Sequence, residues 1–433
     1  MFCILEPIFR KIYILSTKVK LKYLCFGFIF VATLDFFGVF THVFEATYDE
    51  TFLYPYEGDI HEFVSQLRHN EKPDMDPINQ YNYSFLHNIK EKCFDSEYGK
   101  LRIVFLVKSA VENFERRIGI RNSWGFEKRF YDVPTRTVFL LGQHPESPEI
   151  QAKVKVEAAK YKDIVQIDFI DAYFNNTIKT MMGFKWVTKH CLNSKFYMFV
   201  DDDMYISVKN ILRFVRHPTR YPDYLKDQKD FKNLNRMGLD QHQRRGRRAT
   251  AREKIMTRRK PGWKTHNKTK YPDVSTDVFK GLESETAISL PNTRVKRQIF
   301  DFELPEDVRL FAGFVFTSSP HRHKSSKWYV SLDEYPYHLW PPYITAGAYI
   351  LSKEALLDMY YTSFYTKHFR FDDIYLGLVA KKADIEPFHC DDFYFYKKDY
   401  TKFNYKYVIA SHGYGDPNEL IRVWNEQKAM GYA

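Results

Sequence analysis

The chain has 433 residues, 18% of them aromatic with 32 Tyr and 38 Phe, and a formal net charge of +11. That length allows one large or two ordinary domains with a sizeable core. The charge does not mark a nucleic-acid binder: residues 226–298 hold 20 Lys and Arg against 8 Asp and Glu, so the rest of the chain contributes −1 to the +11.

Residues 24–44, "LCFGFIFVATLDFFGVFTHVF", are nearly all apolar. At about 1.5 Å per residue, a helix of this length spans a bilayer core of about 30 Å. Arg10, Lys11, Lys18, Lys20 and Lys22 precede it, and Glu45, Asp49 and Glu50 follow. This asymmetry predicts a signal anchor with residues 1–23 cytosolic and the rest lumenal, a single-pass type II topology. A cleaved signal peptide is the competing reading, disfavoured by the long basic lead. Asp35 is out of place within such a span. Residues 45–98 are polar and Pro-punctuated and read as a stem lifting the domain off the membrane. Cys93, Cys191 and Cys390 lie on the oxidising side, where three cannot all pair within one chain. Sequons at Asn82, Asn175 and Asn267 agree with lumenal glycosylation.

From residue 99 the pattern changes. "LRIVFLVKSA", "RTVFLLG", "IVQIDFID" and "KFYMFVDDD" are short apolar runs of the kind that form buried strands. Helical stretches separate them: "VENFERRIGIRNSWG", "SPEIQAKVKVEAAKYKD" and "NNTIKTMMGFKWVTKHC". The alternation predicts an α/β domain over 99–433 with a mostly parallel, Rossmann-like sheet flanked by helices. Ligands in such sheets bind beyond the carboxyl ends of the strands. Residues 225–300 lack any sustained apolar period and read as a basic, disordered insertion. A strand returns at "VRLFAGFVF", Val308–Phe316.

Asp201, Asp202 and Asp203 stand together at one such strand end. Their mutual repulsion is relieved if a hard divalent cation, Mn²⁺ or Mg²⁺, sits among them and bridges to a diphosphate. Side chains alternate along a strand, so Asp201 and Asp203 share a side while Asp202 points elsewhere, to a ribose hydroxyl in this reading. An acidic surface loop is the simpler alternative. Asp372 and Asp373 open a predicted helix, where they serve either as dipole-favoured capping groups or as a general base. His412, in "VIASHGYG", could complete a metal shell.

The runs "RRIGIRNSWG", "FVDDDMY", "KWYVSLDEYP", "WPPYITAGAYILS" and "DDIYLG", in this order, resemble the inverting β-1,3-galactosyl- and N-acetylglucosaminyltransferases of the Golgi. The resemblance covers about 99–224 and 306–433. It implies a GT-A fold, a UDP-sugar donor, Mn²⁺ and a Golgi membrane location. It implies Asp203 and His412 on the metal, with Asp201 supporting it through water or ribose, and Asp373 as base beside Asp372. Lys108, Arg121, Asp171 and Lys179 fall in the donor-half motifs. Trp328, Tyr329 and Tyr335 fall where the family builds its acceptor wall. This chain departs from the family in Ile374, where Val is usual, and in Ser123, where Thr is usual. "DAYFNNT" and "GDPNELIRVWNE" are similar to an invertebrate branch, which implies UDP-GlcNAc and a Manβ1,4Glc-ceramide acceptor, with UDP-Gal and UDP-GalNAc as alternatives. Other readings are a metal-dependent nuclease or phosphodiesterase, disfavoured by the near-neutral core, and a lectin-like relative without turnover. No nucleic-acid partner is expected, and homo-oligomerisation is left open. Cys93–Cys191 is the expected disulfide, since one cysteine precedes the first strand and the other the acidic strand.

Overall fold

The computed structural model describes residues 21–53, 59–94, 99–130, 133–226 and 304–433. It divides into a main unit, Met1–Leu212 with Pro305–Ala433, and a smaller one, Arg213–Leu304. In the smaller unit Tyr224 donates a hydrogen bond to the Arg213 carbonyl. All but two residues of the expected insertion lie outside the described residues.

The elements of the main unit follow the apolar runs. They are α1 (Leu21–Phe36), α2 (His61–Arg68), β1 (Phe85–His87), β2 (Leu101–Lys108), α3 (Phe114–Arg121), β3 (Thr135–Gln143) and α4 (Pro148–Tyr161). Next come β4 (Ile164–Ile170), α5 (Asn176–His190), β5 (Ser194–Asp201), β6 (Tyr205–Ile206), β7 (Phe311–Phe316) and β8 (Tyr343–Ser352). The chain ends with α6 (Lys353–Ser363), α7 (Asp372–Lys382), β9 (Phe388–His389), β10 (Phe393–Tyr394), β11 (Ala410–Ser411) and α8 (Pro417–Ala429).

Strands β4, β3, β2 and β5 are parallel neighbours, in that order. Their continuous apolar runs have a physical cause: in β2, Ile103 to Val107 are all buried, so both faces of the sheet are covered. Each such side chain contributes about 1.5–3 kcal/mol by leaving water. Strand β8 then joins β5 antiparallel and carries β7 and β9 outward, while β1 closes the other edge. The antiparallel β8 was not expected from the sequence, because "YITAGAYILS" is interrupted by small residues that break the alternating pattern. Helix α7 lies close against it: a Cβ on Gly377 would stand 2.6 Å from the Tyr343 Cβ, so only glycine permits the approach. A second sheet, β10–β11–β6, stands beyond the end of β5.

The expected N-terminal span is not confirmed. Among the described residues no helix is long and apolar enough to cross a membrane. The run expected as one span forms α1, turns at Gly38 with a left-handed φ of 78°, and resumes as a short helix, Val39–Val43. A Cβ on Gly38 would lie 2.6 Å from the Arg322 carbonyl oxygen, so the break is made by close packing. The expected stem is largely packed down. Arg68 of α2 pairs with Glu354 and Asp358 of α6, β1 extends the sheet, and Cys93 is disulfide-bonded to Cys191. That disulfide is the expected pair. Cys390 is free and buried.

Candidate active site

Register builds the first contact. Strands β2 and β5 pair in parallel so that Lys108 lies opposite Asp201, both at carboxyl ends. The Lys108 Nζ is 3.0 Å from Asp201 Oδ1 and donates to Asp372 Oδ2 at 2.8 Å. Thr180 of α5 donates to the same Asp372 oxygen at 3.1 Å. Desolvation opposes the charge on Lys108, which is 4% exposed, but Asp201 and Asp372 outweigh it and raise the pKa. Asp201 keeps 32% of its side chain open to the cavity, yet desolvation by the walls pushes it up to about 6. Asp372 and Asp203 add to that shift and Lys108 opposes it.

The next residue in α7 has a different fate. Asp373 accepts a hydrogen bond from the Ile374 amide at 2.8 Å. Desolvation and the Asp372 charge push its carboxyl up to about 7. A base poised near neutrality suits removal of a proton from a hydroxyl.

The three consecutive aspartates separate into three environments. Asp202 is taken up by the β2–α3 connection and the start of α3: Ser109 Oγ, Asn113 Nδ2 and Arg116 Nη1 donate to it at 2.7, 2.9 and 2.9 Å. Asp203 turns to the small sheet, where pairing of Tyr205 with Ser411 brings His412 close. His412 Nε2 lies 3.3 Å from Asp203 Oδ2. Burial disfavours the Asp203 charge, but His412 outweighs it and holds the carboxyl below its ordinary value; the same contact raises the His412 pKa. The second oxygen, Asp203 Oδ1, is buried without a hydrogen-bond partner. The orphaned carboxylate oxygen is a fitting donor for Mn²⁺ or Mg²⁺, and the adjacent imidazole suits Mn²⁺ better than Mg²⁺. Among the described residues, however, no group of three or more His, Cys, Asp or Glu is placed to hold a metal ion. Asp201, expected to support the metal with Asp203, is turned to Lys108 because strand register puts the ammonium opposite it.

Asp201, Asp372, Asp373 and His412 all line one cavity of about 660 Å³. Its apolar walls include Phe316, Tyr343 and Phe395, and Tyr173, His321 and Trp328 also line it. Of the predicted acceptor residues, Trp328 is there, 46% exposed, its Nε1 donating to Tyr173 Oη at 3.1 Å. Tyr335 is not: it is fully buried, its ring tilted against that of Trp340 at 3.9 Å, and donates to the Leu339 carbonyl. Tyr329 forms a backbone bridge with His321, is half-buried, and does not line the cavity.

Besides Lys108, the other three donor-half residues are also engaged within the protein. Arg121 is drawn away by Glu157 and Asp163, each at 2.7 Å, and covers the Phe139 and Tyr161 rings. Lys179 is spent on Asp171 at 2.8 Å and on the Ser109 carbonyl, while Asp171 also accepts from the Gly142 amide. Asn82 is exposed, Asn175 donates to the Ile170 carbonyl, and Asn267 lies outside the described residues. The sequence reading missed Phe316, His321, Tyr343 and Phe395. The first two lie at and beyond the end of the recognised strand β7, the place where a site-facing loop is expected. Nothing local marked the others.

The model of the family described as Galactosyltransferase matches residues 115–230 and 298–391. "Beta-1,3-galactosyltransferase brn" of Drosophila melanogaster is 36% identical over 407 residues, covering 93% of this chain and 94% of its own. "Beta-1,3-galactosyltransferase 1" of Homo sapiens is 27% identical over 353 residues, 82% of this chain and 81% of its own. "Lactosylceramide 1,3-N-acetyl-beta-D-glucosaminyltransferase" of Homo sapiens is 26% identical over 401 residues, 90% of this chain and 81% of its own. A strand-end acidic cluster, a poised carboxylate in the same cavity and likeness along nearly the whole length lead to one conclusion: the chain belongs to the galactosyltransferase family and is a β-1,3-glycosyltransferase.

Proposed function

We propose that the protein transfers a sugar with inversion from UDP-GlcNAc to the 3-hydroxyl of a β-mannosyl glycolipid of the Manβ1,4Glc-ceramide type. The observation that carries the reading is Asp373, raised to about 7 in the cavity that also holds His412. Asp373 takes the proton of the acceptor hydroxyl as that oxygen attacks the anomeric carbon. The bond from that carbon to the diphosphate oxygen breaks on the opposite face, and UDP leaves with the electron pair. One displacement turns an α-linked donor into a β-linked product, as a carboxylate base does with water in inverting glycosidases.

Asp203 and His412 would hold Mn²⁺, or Mg²⁺ in its place, whose chemistry is Lewis-acid neutralisation of the leaving diphosphate. Lys108 and Thr180 fix Asp372, which leaves Asp373 as the carboxylate free to exchange a proton. Phe316, Tyr343 and Phe395 limit the water that would compete with the acceptor. The N-terminal apolar segment anchors the chain in the Golgi membrane with the catalytic domain lumenal. UDP-Gal is the second donor reading, favoured by the printed names of the fly and human galactosyltransferases.

A panel of UDP-GlcNAc, UDP-Gal and UDP-GalNAc with Mn²⁺ and a Manβ1,4Glc glycolipid tests this, with linkage analysis of the product. A β-1,3-linked GlcNAc product is expected. Transfer of Gal alone would replace the donor assignment, and release of UDP with no glycoside formed would overturn the transfer reading.

A further inference from the structure

The segment that follows α1 is held on the catalytic domain by one loop. Lys324 Nζ pairs with Asp35 at 2.6 Å, and its amide donates to the Phe36 carbonyl. The rings of Phe36 and Phe37 stand 5.1 and 4.8 Å from that of His323. Arg322 is buried, with Nε 2.7 Å from Glu45 Oε1 and its other nitrogens donating to the carbonyls of Val330, Ser331, Tyr335 and Tyr337. Ala46 then exchanges backbone hydrogen bonds with Pro336 and His338. The charge inside the expected span is thereby explained: Asp35 sits at the end of α1 with a lysine partner.

The other side of the same loop is the cavity wall. His321, Trp328 and Val330 line the cavity. His321 is next in sequence to Arg322, and neighbouring Cα atoms are about 3.8 Å apart. Around Trp328 the surface is an aromatic and basic rim. Tyr173 and Phe174 are exposed, and Lys327 Nζ lies over the Tyr173 and Trp328 rings. Tyr, Trp and Lys with one apolar and one wet end are the side chains that settle at a membrane–water interface. Helix α1 is apolar on all sides, with Phe26, Phe28, Ile29 and Phe30 exposed, and a helix of that kind belongs in lipid.

We propose that Asp35–Ala46 is a fixed dock, locked by Arg322 and Lys324, that seats the cavity mouth on the lipid surface in which α1 is embedded, so that acceptors are taken from that same membrane. This rests on the transfer reading above and replaces the notion of a domain held away on a stem. The confined acceptor then reacts at a raised effective concentration.

The full chain is reconstituted in phosphatidylcholine vesicles, with acceptor glycolipid in the same vesicles, in separate vesicles, or replaced by a soluble glycoside of the same sugar. Transfer within the vesicle is expected to be about tenfold or more faster than in the other two arrangements at equal bulk concentration. The variants Lys324→Glu and Glu45→Gln should reduce that ratio several-fold with soluble-glycoside turnover unchanged, which also serves as the folding control. Independently of activity, lipids carrying a headgroup nitroxide should quench a tryptophan component that Trp328→Phe removes. Equal rates in all arrangements, variants with the wild-type ratio, or no Trp328 quenching would overturn the dock. No transfer to any acceptor, with the quenching present, would overturn the transfer reading instead.

Discussion

Lys108 bridges Asp201 and Asp372 at 3.0 and 2.8 Å, and so ties the end of β5 to the first residue of α7. A single buried ammonium thereby joins the acidic strand end to the helix that carries Asp373, the proposed base. Replacing Lys108 by Met leaves two carboxylates without their cation in a desolvated site. Breaking a buried pair on one side costs about 3–5 kcal/mol. Chemical denaturation is predicted to show a loss of that size, together with loss of transfer; a variant of near wild-type stability would refute the bridge.

Asp373 has a pKa raised to about 7, and a base must be ionised to accept a proton. The prediction is a kcat/KM that falls as pH drops below about 7 and levels off above it. Asp373→Asn should lose about 10²–10⁴-fold in transfer. Because the folded pKa lies above the unfolded one, the ionised carboxylate weakens the folded state above that pH. The Asn variant should therefore unfold no more easily than wild type at pH 8. An inactive but markedly less stable variant would recast Asp373 as a structural group.

Asp203 and His412 are predicted to act on the leaving group and not on the acceptor. Asp203→Ala and His412→Ala should weaken Mn²⁺-dependent UDP binding in calorimetry while leaving acceptor binding intact. If UDP binds equally with and without Mn²⁺ in the wild type, this pair has another purpose.

Glu157, which does not line the cavity, predicts acid sensitivity. Burial opposes its charge, but Arg117 and Arg121 outweigh that and lower its pKa from the ordinary 4.5. A lowered folded pKa contributes stability that is complete above the unfolded value and is lost as pH falls through the folded one. Unfolding free energy should thus decline below about pH 5, by at most about 1.4 kcal/mol per pH unit for each proton taken up. Glu157→Gln should flatten that decline. An unchanged slope would show that other carboxylates control acid unfolding.

How far the sequence could be read depended on distance along the chain. The buried strands around Val104, Phe139, Val165 and Phe199 were legible because strand periodicity and turn residues are local signals. So was the acidic end of β5, since a strand that ends in three carboxylates needs a reason. What the sequence left open was which partner each side chain meets. Arg121 and Tyr335 sit within family motifs yet face Glu157, Asp163 and Trp340, and no local pattern distinguishes a motif residue that binds substrate from one that supports the residue that does.

The amino-acid sequence by itself determined the α/β layering, the place of the acidic run at a strand end and the family, because these follow from periodic burial and from runs of residues in order. Tertiary structure alone decided which carboxylate does what. Asp202 meets Ser109, Asn113 and Arg116, Asp203 meets His412, and Asp372 meets a lysine 264 residues away, leaving Asp373 to face the cavity. A carboxylate's charge state and task depend on what stands across from it in a desolvated space. Strand register and helix packing set that partner, not neighbours in the chain.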